Sequence, residues 1–534
     1  MRLVHLQLIA LLLLGYSSSI ATTRRVPQEY ATIQAALDSV ANGDTVLVAL
    51  GTYAESLNAP NRSFVMRGDV VPDTGDFPRP VIDPSSLPGA DSIACLSAYF
   101  GGVQVFEDIT FHNGPQMYAG RPLVRTGGVH SAGIRVYRRC VFDSTYIGIY
   151  ADSGQVTLER CVFRNVNMSA YYGVFGPLLA ADCRFSGFTV GTPLVQCAAG
   201  SEIRRCLFRH CYQAEALFNS GGHLIEDCLF DSCGPQWFHL ISTYAFAGTI
   251  RNNVISNCLL NESAMDLSGS CGDTLWVRTN QFLNNMAYNG HANAGMNVHF
   301  TDSCFGAVVD SNIFVDNWTL GSAAKALGVY GTSVITANKF IGLQPQQDPD
   351  VSFPVPDSVF RQSVLRSNLF SEDNSDWALR SPDSILVADA RWNWWGDSTG
   401  PLDLVHNPGG NGARVQGMIQ IDPWCIDTLA CAEPSAVRDR SFIPHLSSFS
   451  LSAFPNPFNA ITRIRLQAPS PFIARVEVYN ILGRRVEELW SGVVAYEKDI
   501  TFDGASLPSG VYLVRATDII GNRPLALTKV VLLR

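Results

Sequence analysis

The sequence lacks the features that mark nucleic-acid-binding and membrane-spanning proteins. Charged residues make up only 16% of the 534 residues, and the formal net charge is −9, so the chain offers no basic surface to a nucleic acid. After an N-terminal Leu-rich run that ends at Leu14, no stretch approaches eighteen uninterrupted apolar residues. We therefore expect no nucleic-acid partner and, after removal of a leader, no transmembrane segment.

The sequence also lacks the usual metal-binding patterns. Its fourteen cysteines form no Cys-x-x-Cys pair, and no Cys/His group has zinc-finger spacing. We therefore expect no bound metal and no cofactor.

The N-terminal segment predicts export. Arg2 precedes the apolar run, and Ser19-Ile20-Ala21 places small residues where a signal peptidase cleaves. At about a dozen residues the run is short for a membrane anchor. We predict a signal peptide over residues 1–21.

What the chain does contain is a repeat. Twelve times a short apolar strand closes on a three-residue pattern that ends in a bulky apolar residue, with steps of 21 to 32 residues. The first repeat begins at Ile109, and the others begin at Cys140, Cys161, Cys183, Cys206, Cys228, Asn253, Asn280, Asn312, Asn338, Asn368 and Asn393. This period fits one coil of a β-solenoid, and it is too short for helical hairpin repeats or propeller blades.

The repeated Cys and Asn predict internal ladders. Side chains two apart on a strand face the same way, so Cys161 and Phe163 share a face. Because stacked coils lie about 4.8 Å apart, the cysteines from Cys140 to Cys228 form one column, which the asparagines from Asn253 to Asn393 continue. An inward Asn can donate to one neighbouring coil and accept from the other. We predict a structural role for this column and for a second one at Cys211, Cys233, Cys258, Asn285 and Asn317.

Motifs at both ends of the repeat resemble the right-handed parallel β-helix, the pectin-lyase-like fold. At the entry, Thr32 can cap a short helix ahead of Asn42-Gly43-Asp44-Thr45, and at the exit stand Trp392-Asn393-Trp394-Trp395-Gly396 and Ile421-Asp422-Pro423-Trp424. The resemblance implies an all-β chain: a single-stranded β-helix of about 12 coils over residues 22–424, followed by the smaller domain described next.

Composition changes after Trp424. Residues 425–448, with several Pro and Ser, predict a linker, and residues 449–534 show short alternating strands of a small Ig-like β-sandwich. Cys425 and Cys431 lie six apart in a loop, where a disulfide and two separately buried thiols are both compatible with the sequence.

The C-terminal strands carry a second resemblance. The runs Phe454-Pro455-Asn456-Pro457-Phe458-Asn459, 478–486, 507–512 and 529–534 are similar to the C-terminal sorting domain of type IX secretion cargo, an Ig-like module similar to the flagellar hook-capping domain. The resemblance implies contact with the secretion machinery through residues 449–534, and a location outside a Gram-negative cell or on its outer-membrane surface. An adhesive Ig-like domain without a sorting role is the alternative.

The function of the solenoid is less clearly marked. The resemblance points to enzymes that attack polysaccharides, but the elements of polygalacturonases are absent and no adjacent coils show an Asp column for calcium. The candidates lie where coils lengthen. They are Glu262, Asp266 and His291 for catalysis, and Tyr288, His291, Asn293, Asn297 and His299 for ligand binding. Ordinary solvated loop residues are the alternative for each.

We therefore expect a monomeric surface or secreted protein that binds a polysaccharide or cell-surface glycan, or that serves as an adhesive or structural protein. A polysaccharide lyase or glycoside hydrolase acting on uronate-containing or neutral glycans is the alternative, and only the lyase would need calcium.

Overall fold

A computed structural model describes most of the chain after residue 20. The described residues are 21–71, 77–88, 94–98, 101–112, 122–126, 133–151, 153–173, 176–188, 193–212, 216–220, 222–234, 239–244, 248–269, 275–288, 294–300, 305–319, 324–330, 332–341, 349–353, 363–370, 377–381, 388–428, 431, 450–467, 472–480, 484–494, 497–518 and 523–533. The predicted signal peptide, except Ala21, and most of the predicted linker lie outside these residues.

The chain forms two compact units, Met1–Leu179 and Ala180–Arg534. The division falls inside the predicted solenoid, and each unit contains coils of parallel strands. The strand Leu178–Ala181 lies at the division.

The first unit opens with a capping helix. Thr32 Oγ1 accepts a hydrogen bond from the Ala35 N–H at 3.1 Å and so caps the helix Ile33–Asp38. Ile33, Ala36 and Leu37 on one helix face are buried, so the helix shields the apolar side of the first coils.

Each coil of the first unit contributes strands to three parallel sheets. Strands of the first sheet are Thr23–Val26, Thr45–Val48, Phe64–Gly68, Val103–Glu107, Ile134–Arg138 and Gln155–Glu159; strands of the second are Thr52–Tyr53, Val81–Ile82 and Thr110–His112; strands of the third are Leu57–Asn58, Leu96–Ala98 and Pro122–Thr126. A short 3₁₀ helix spans Pro84–Ser86. The long strands Val141–Ala151 and Val162–Gly173 bend from the second sheet into the third, with a register shift between Thr145 and Ile147.

The second unit repeats the three sheets. The first contains Glu202–Arg204, His223–Glu226, Gly248–Arg251, Leu275–Arg278, Phe305–Asp310, Thr332–Thr336, Ser363–Arg366, Ala388–Asp389 and Ile419–Gln420; the second contains Arg184–Phe188, Leu207–Cys211, Leu229–Asp231, Val254–Ser256, Gln281–Leu283, Ile313–Val315, Lys339–Ile341 and Leu369–Phe370; the third contains Val195–Ala198, Leu217–Ser220, Ile241–Tyr244, Met265–Gly269, Met296–Phe300, Leu327–Tyr330, Val351–Ser352, Trp377–Arg380, Pro401–Leu402 and Gly412–Gln416. Three two-residue strands, Leu259–Leu260, Met286–Ala287 and Trp318–Thr319, stack between the second and third sheets.

The turn after each first-sheet strand from Val103–Glu107 to Ala388–Asp389 uses a left-handed residue. These residues have φ between 52° and 59°, and they are Asp108, Arg139, Arg160, Asp182, Arg205, Asp227, Asn252, Thr279, Ser311, Ala337, Ser367 and Trp392. Each directly precedes one of the twelve repeat positions of the sequence. The left-handed conformation is uncommon outside glycine, so its recurrence shows that the turn geometry is imposed by the stacking of coils.

Aromatic rings stack along the core beside these turns. In the first unit the Phe142 and Phe163 centroids are 4.5 Å apart, and in the second Phe208 lies 4.6 Å from Phe230. The last ring, Trp395, lies 4.9 Å from Phe370 and is fully buried. Every one of these pairs is nearly parallel, which is a favourable aromatic arrangement when the rings are offset.

The asparagines form a buried amide column. Asn312 Nδ2 donates to the Val277 carbonyl and to Asn338 Oδ1, both at 3.0 Å, while its Oδ1 accepts from the backbone N–H and Nδ2 of Asn280 at 2.9 and 3.0 Å. The same hydrogen bond from Nδ2 to the next Oδ1 connects the asparagines of successive coils from Asn253 to Asn393. Each amide is therefore satisfied by the coils on either side of it.

The cysteines at the equivalent position of earlier coils in each unit make a simpler bond. Cys140 Sγ donates to the Phe106 carbonyl at 3.4 Å, and Cys228 Sγ to the Ile203 carbonyl at 3.6 Å. These carbonyls correspond to the one that Asn Nδ2 bonds in later coils. At the junction, the Cys228 N–H donates to Asn253 Oδ1 at 2.9 Å. Ten cysteines of the described residues are buried free thiols.

The C-terminal part is a small antiparallel sandwich. Ser450–Phe454, Ile461–Gln467 and Glu497–Asp503 form one sheet, and Arg485–Val494, Phe472–Asn480, Gly510–Asp518 and Arg523–Leu532 form the other. A shared apolar core that includes Phe458, Ile464, Val476, Phe502 and Val514 lies between them. Ahead of this sandwich, Cys425 and Cys431 form a disulfide with a Cα separation of 5.3 Å. In the described part of the chain, no helix has the length and apolar character needed to cross a membrane.

Candidate functional site

The candidate site lies at the corner where the chain enters the third sheet of the second unit. Glu262 and Ser263 stand in the turn before the strand Met265–Gly269. One coil earlier, the Leu240 N–H donates to the Ser263 carbonyl at 3.0 Å. This bond aligns the two coils, so His239 lies against Ser263 and within reach of the next coil's carboxylates.

His239 joins the two predicted carboxylates. Its Nε2 is 2.8 Å from Glu262 Oε2 and 3.7 Å from Asp266 Oδ2, and its Nδ1 is 2.5 Å from Ser263 Oγ. The Glu262 side chain is 39% exposed, against 15% for His239 and 11% for Asp266. The cluster is thus a nearly buried ion pair with one carboxylate at the surface.

The hydrogen bonds around His239 accommodate a doubly protonated imidazole. Ser263 Oγ donates to the Met265 carbonyl at 2.9 Å, so it can accept a hydrogen bond from His239 Nδ1, while Nε2 faces carboxylate oxygens. Two ionised carboxylates around one imidazole leave the cluster with a net negative charge in either form of His239.

Two more predicted residues adjoin the cluster in different ways. Asn297 pairs with Asp266 across neighbouring strands, is 7% exposed and donates to Ser263 Oγ at 3.4 Å, so it supports the cluster from within. Tyr288 is 37% exposed, and its backbone N–H donates to the Leu260 carbonyl at 3.0 Å, two residues before Glu262. The backbone of Tyr288 therefore lies beside Leu260, one coil later.

In the described part of the chain, the remaining predicted residues are not placed in this cluster. His291 and Asn293 lie outside the described part of the chain. His299 lies on the strand Met296–Phe300, where its backbone pairs with Ser268 and Tyr330; its side chain is outside what the structure describes.

His239 is the residue that sequence reasoning missed. It lies 24 positions before Ser263, which is one coil length, and the two residues stand at equivalent places before third-sheet strands. Aligning coils on their third-sheet strands, instead of on the Phe positions, would have placed His239 beside Glu262.

Other charged groups on the solenoid serve to link coils. Arg138 bridges Glu107 at 3.1 Å and Glu159 at 2.7 Å on the outer face of the first sheet. Lys325 and Asp350, from consecutive coils, are fully buried with Nζ and Oδ1 3.3 Å apart. Among the described residues, no group of three or more His, Cys, Asp or Glu has an arrangement that could hold a metal ion.

Two family models match the chain. Residues 128–314 match the model described as a right handed beta helix region, and residues 452–523 match the secretion system C-terminal sorting domain. No curated protein matches the chain in sequence. The predicted fold class, a right-handed β-helix followed by a small β-sandwich, is thereby confirmed, and the sorting domain indicates export to the cell surface or the extracellular space.

Several solved structures are similar in fold. One is a complex of XylC with xylose, at 8% identity and a TM-score of 0.35, covering 90% of this chain and 99% of that one. Another is a mutant of the PL6 family alginate lyase AlyGC, at 13% identity and a TM-score of 0.37. The match covers 75% of this chain and 53% of that one. A third is the A-module of the Azotobacter vinelandii mannuronan C-5 epimerase AlgE4, at 11% identity and a TM-score of 0.30. The match covers 73% of this chain and 92% of that one.

With TM-scores this low, these neighbours carry no argument about the function of this chain. The coil geometry, the ladders and the two family matches do agree with one another. The chain is a right-handed parallel β-helix protein that carries a C-terminal sorting domain for type IX secretion.

Proposed function

We propose that the exported solenoid binds a neutral glycan at the His239 corner, the surface formed by His239, Glu262, Asp266 and Tyr288. The observation that carries the proposal is the contact of His239 with Glu262 and Asp266, next to a coil whose partly exposed Tyr288 donates its backbone N–H to Leu260, two residues before Glu262. Aromatic surface and a few fixed polar groups are what a small polar ligand site requires.

The polar half of the corner is suited to hydroxyl groups. A carboxylate has about four lone-pair sites, and the bond to His239 Nε2 uses one of those on Glu262. The remaining sites face outward on a side chain that is 39% exposed. Hydrogen bonds from sugar hydroxyls to an ionised acceptor are stronger than those between neutral groups, so Glu262 is the principal polar contact that we propose.

The charge of the corner favours a neutral sugar over a uronate. Two carboxylates share a single imidazole, and the surplus negative charge would repel the carboxyl group of a uronate. The Tyr288 ring supplies an apolar face for the C–H side of a pyranose. The proposed protein acts as a monomer outside a Gram-negative cell or attached to its surface.

Hydrolysis of the same glycan is the second candidate function. Paired carboxyl groups in glycosidases act across separations of up to roughly 10 Å, and Glu262 and Asp266 both lie near one imidazole nitrogen, at 2.8 and 3.7 Å. A lyase is less well supported, because its uronate substrate would meet the same surplus of negative charge.

Binding is tested by affinity electrophoresis and calorimetry of the mature protein with a neutral β-glucan, a xylan and a polyuronate. We expect weak binding to a neutral polymer and none to the polyuronate. Tyr288→Ala should weaken binding about tenfold, since loss of one aromatic contact costs on the order of 1 kcal/mol or more. Tyr212→Ala is the matched control, because Tyr212 is 49% exposed and lies on earlier coils. Equal affinity of all three proteins would refute the proposed site.

Turnover separates binding from hydrolysis. Incubation with the bound polymer should release no new reducing ends if the site only binds. Release of reducing ends that Glu262→Gln and Asp266→Asn both abolish would establish the hydrolase instead.

A further inference from the structure

An open groove lies on the outer face of the three-stranded sheet in the sorting domain. It has a volume of about 610 Å³, and its lining includes Ser452, Phe454, Pro455, Ile461, Arg463 and Arg465. The apolar core of the sandwich is formed by residues of the opposite face, such as Ile464 and Leu466. The groove therefore belongs to the surface of the domain.

The groove exposes large apolar side chains. Phe454 is 82% exposed and Ile461 is 56% exposed. Leaving a ring of this size in water forgoes the free energy that its burial would contribute. An exposed aromatic residue beside an aliphatic one is what a protein surface offers to a partner's apolar side chain.

The groove is held in shape by bonds within the domain. Asn456 Nδ2 donates to the Lys529 carbonyl at 2.8 Å, and its Oδ1 accepts from the Val531 N–H at 2.9 Å. Thr462 Oγ1 donates to the Pro455 carbonyl at 2.7 Å. The segment that carries Phe454 is thus fixed before any partner arrives, which lowers the entropic cost of binding.

The charges of the groove select the partner's charge. Arg465 forms two bonds to Asp499, at 2.8 and 3.0 Å, and Arg463 lies 3.5 Å from the same carboxylate. Arg465 thus holds the Asp499 carboxylate through both oxygens, and Arg463, whose side chain is 66% exposed, lies beside that pair. The exposed guanidinium of Arg463 fits a partner that brings a carboxylate of its own.

We propose that this groove is the docking surface through which the secretion apparatus reads the sorting domain, and that its occupant is a segment of that apparatus with an apolar side chain and a neighbouring carboxylate. The apolar side chain packs against Phe454 and Ile461, and the carboxylate pairs with Arg463. A groove of this size supports a short contact that can release its cargo, as weak transient interfaces do.

The test uses the full-length protein in a bacterium that has type IX secretion. Phe454→Ser and Arg463→Glu should each lower the exported fraction about tenfold or more, with accumulation in the periplasm, because truncated aromatic or Arg anchors commonly cost over about 1.4 kcal/mol. Arg463→Lys, which keeps the positive charge, should export more than Arg463→Glu. Leu527→Ser is the matched control, since Leu527 is 61% exposed on the four-stranded sheet.

The melting temperatures of the purified variants separate docking from misfolding. Both groove side chains are exposed, so we expect melting temperatures close to that of the wild type. Export of Phe454→Ser and Arg463→Glu at the wild-type level would overturn the proposal. So would a wild-type dimer that both variants convert to an exported monomer, because the occupant would then be a second copy of this chain.

Discussion

At the scale of single residues, the solenoid depends on an unfavourable backbone conformation that recurs in coil after coil. Asp and Asn tolerate the left-handed region because their short side chains bond locally, and several turns use them. Other turns place Arg139, Thr279 or Ala337 there, at φ of 52°, 55° and 55°. The conformation persists at these positions because ladder bonds and ring stacking on the following residues compensate for its cost.

Ala337 offers a clean test of that cost, since its half-buried methyl group has little else to lose. We expect Ala337→Asn to raise stability by about 0.5 to 1 kcal/mol, part of the roughly 1 to 2 kcal/mol that a left-handed residue costs. Ala337→Val at the same position should lower it by a similar amount, because a β-branched side chain is the least tolerated there. Thermal unfolding followed by circular dichroism measures both, and the opposite order would contradict the imposed turn.

At the scale of coils, the inner column can change chemistry without breaking. Burial raises the pKa of Cys140 well above its ordinary value, so this thiol keeps its proton and can donate it to the Phe106 carbonyl. Along the column, a thiol donates to one carbonyl, whereas an amide donates to two acceptors and accepts twice. A thiol coil can therefore precede an amide coil, as at Cys228 and Asn253, at little cost.

This asymmetry predicts different costs for one chemical change at two places. Asn253→Cys would leave the Cys228 N–H facing sulfur, as the Cys206 N–H already faces Cys228 Sγ at 3.5 Å. We therefore expect the free energy of unfolding to fall by less than about 1 kcal/mol. Asn312→Cys would likewise leave the Asn280 N–H facing sulfur, but it would also remove one of the two acceptors of Asn280 Nδ2, the other being the Ile250 carbonyl. We therefore expect a larger loss in the free energy of unfolding, about 1 to 3 kcal/mol.

The comparison needs only the unfolding midpoints of the two variants against wild type. Each is a single Asn-to-Cys change at a fully buried position, so each serves as the control for the other. Equal destabilisation of the two variants would mean that the hydrogen bonds accepted by the Asn side-chain oxygens do not stabilise the column.

At the scale of the whole molecule, acid should loosen the solenoid through carboxylates on several coils. Hydrogen bonds from Arg391, against burial and with help from Arg366, hold the pKa of Asp389 well below its ordinary value. For Asp143, burial raises the pKa, but bonds from Asn165, Ser144 and Arg164 outweigh it and lower the pKa overall. A carboxyl group with a depressed folded pKa stabilises the fold above its unfolded pKa, and this stability is lost as the pH falls.

We therefore expect the melting temperature to fall progressively below about pH 4, near the unfolded pKa of Asp. Asp389→Asn should show a smaller fall over the same range, since it cannot lose a charge there. Scanning calorimetry between about pH 6 and pH 3 measures both proteins. A parallel fall in the two would show that Asp389 takes no part in acid sensitivity.

Removal of the sorting domain is the other test at this scale. Deletion of residues 449–534 should leave the coils folded, because Trp395 closes the aromatic stack from within the solenoid. The shortened protein should collect in the periplasm of a host with type IX secretion, as measured by fractionation and immunoblotting. Its appearance outside the cell at the normal level would show that another part of the chain directs export.

The residues alone were enough to derive the coil period, the inward Cys and Asn column, the repeated Phe positions and the sorting domain. Strand alternation has a period of two residues, so Cys161 and Phe163 had to share a face whatever the loops did. The motifs around Phe454 and Tyr479 are likewise contiguous in the chain, and short contiguous patterns need no knowledge of distant contacts.

Which side chains of different coils meet could not be derived from the residues and depends on the packing of the folded chain. His239 and Glu262 come together because the coil between them has the length that sets Leu240 opposite Ala264, and the groove on the sorting domain exists because three strands from residues 450 to 503 lie side by side. Coil lengths vary with loops whose closure costs little free energy. The register between coils therefore follows from packing of the whole solenoid, and no local pattern contains it.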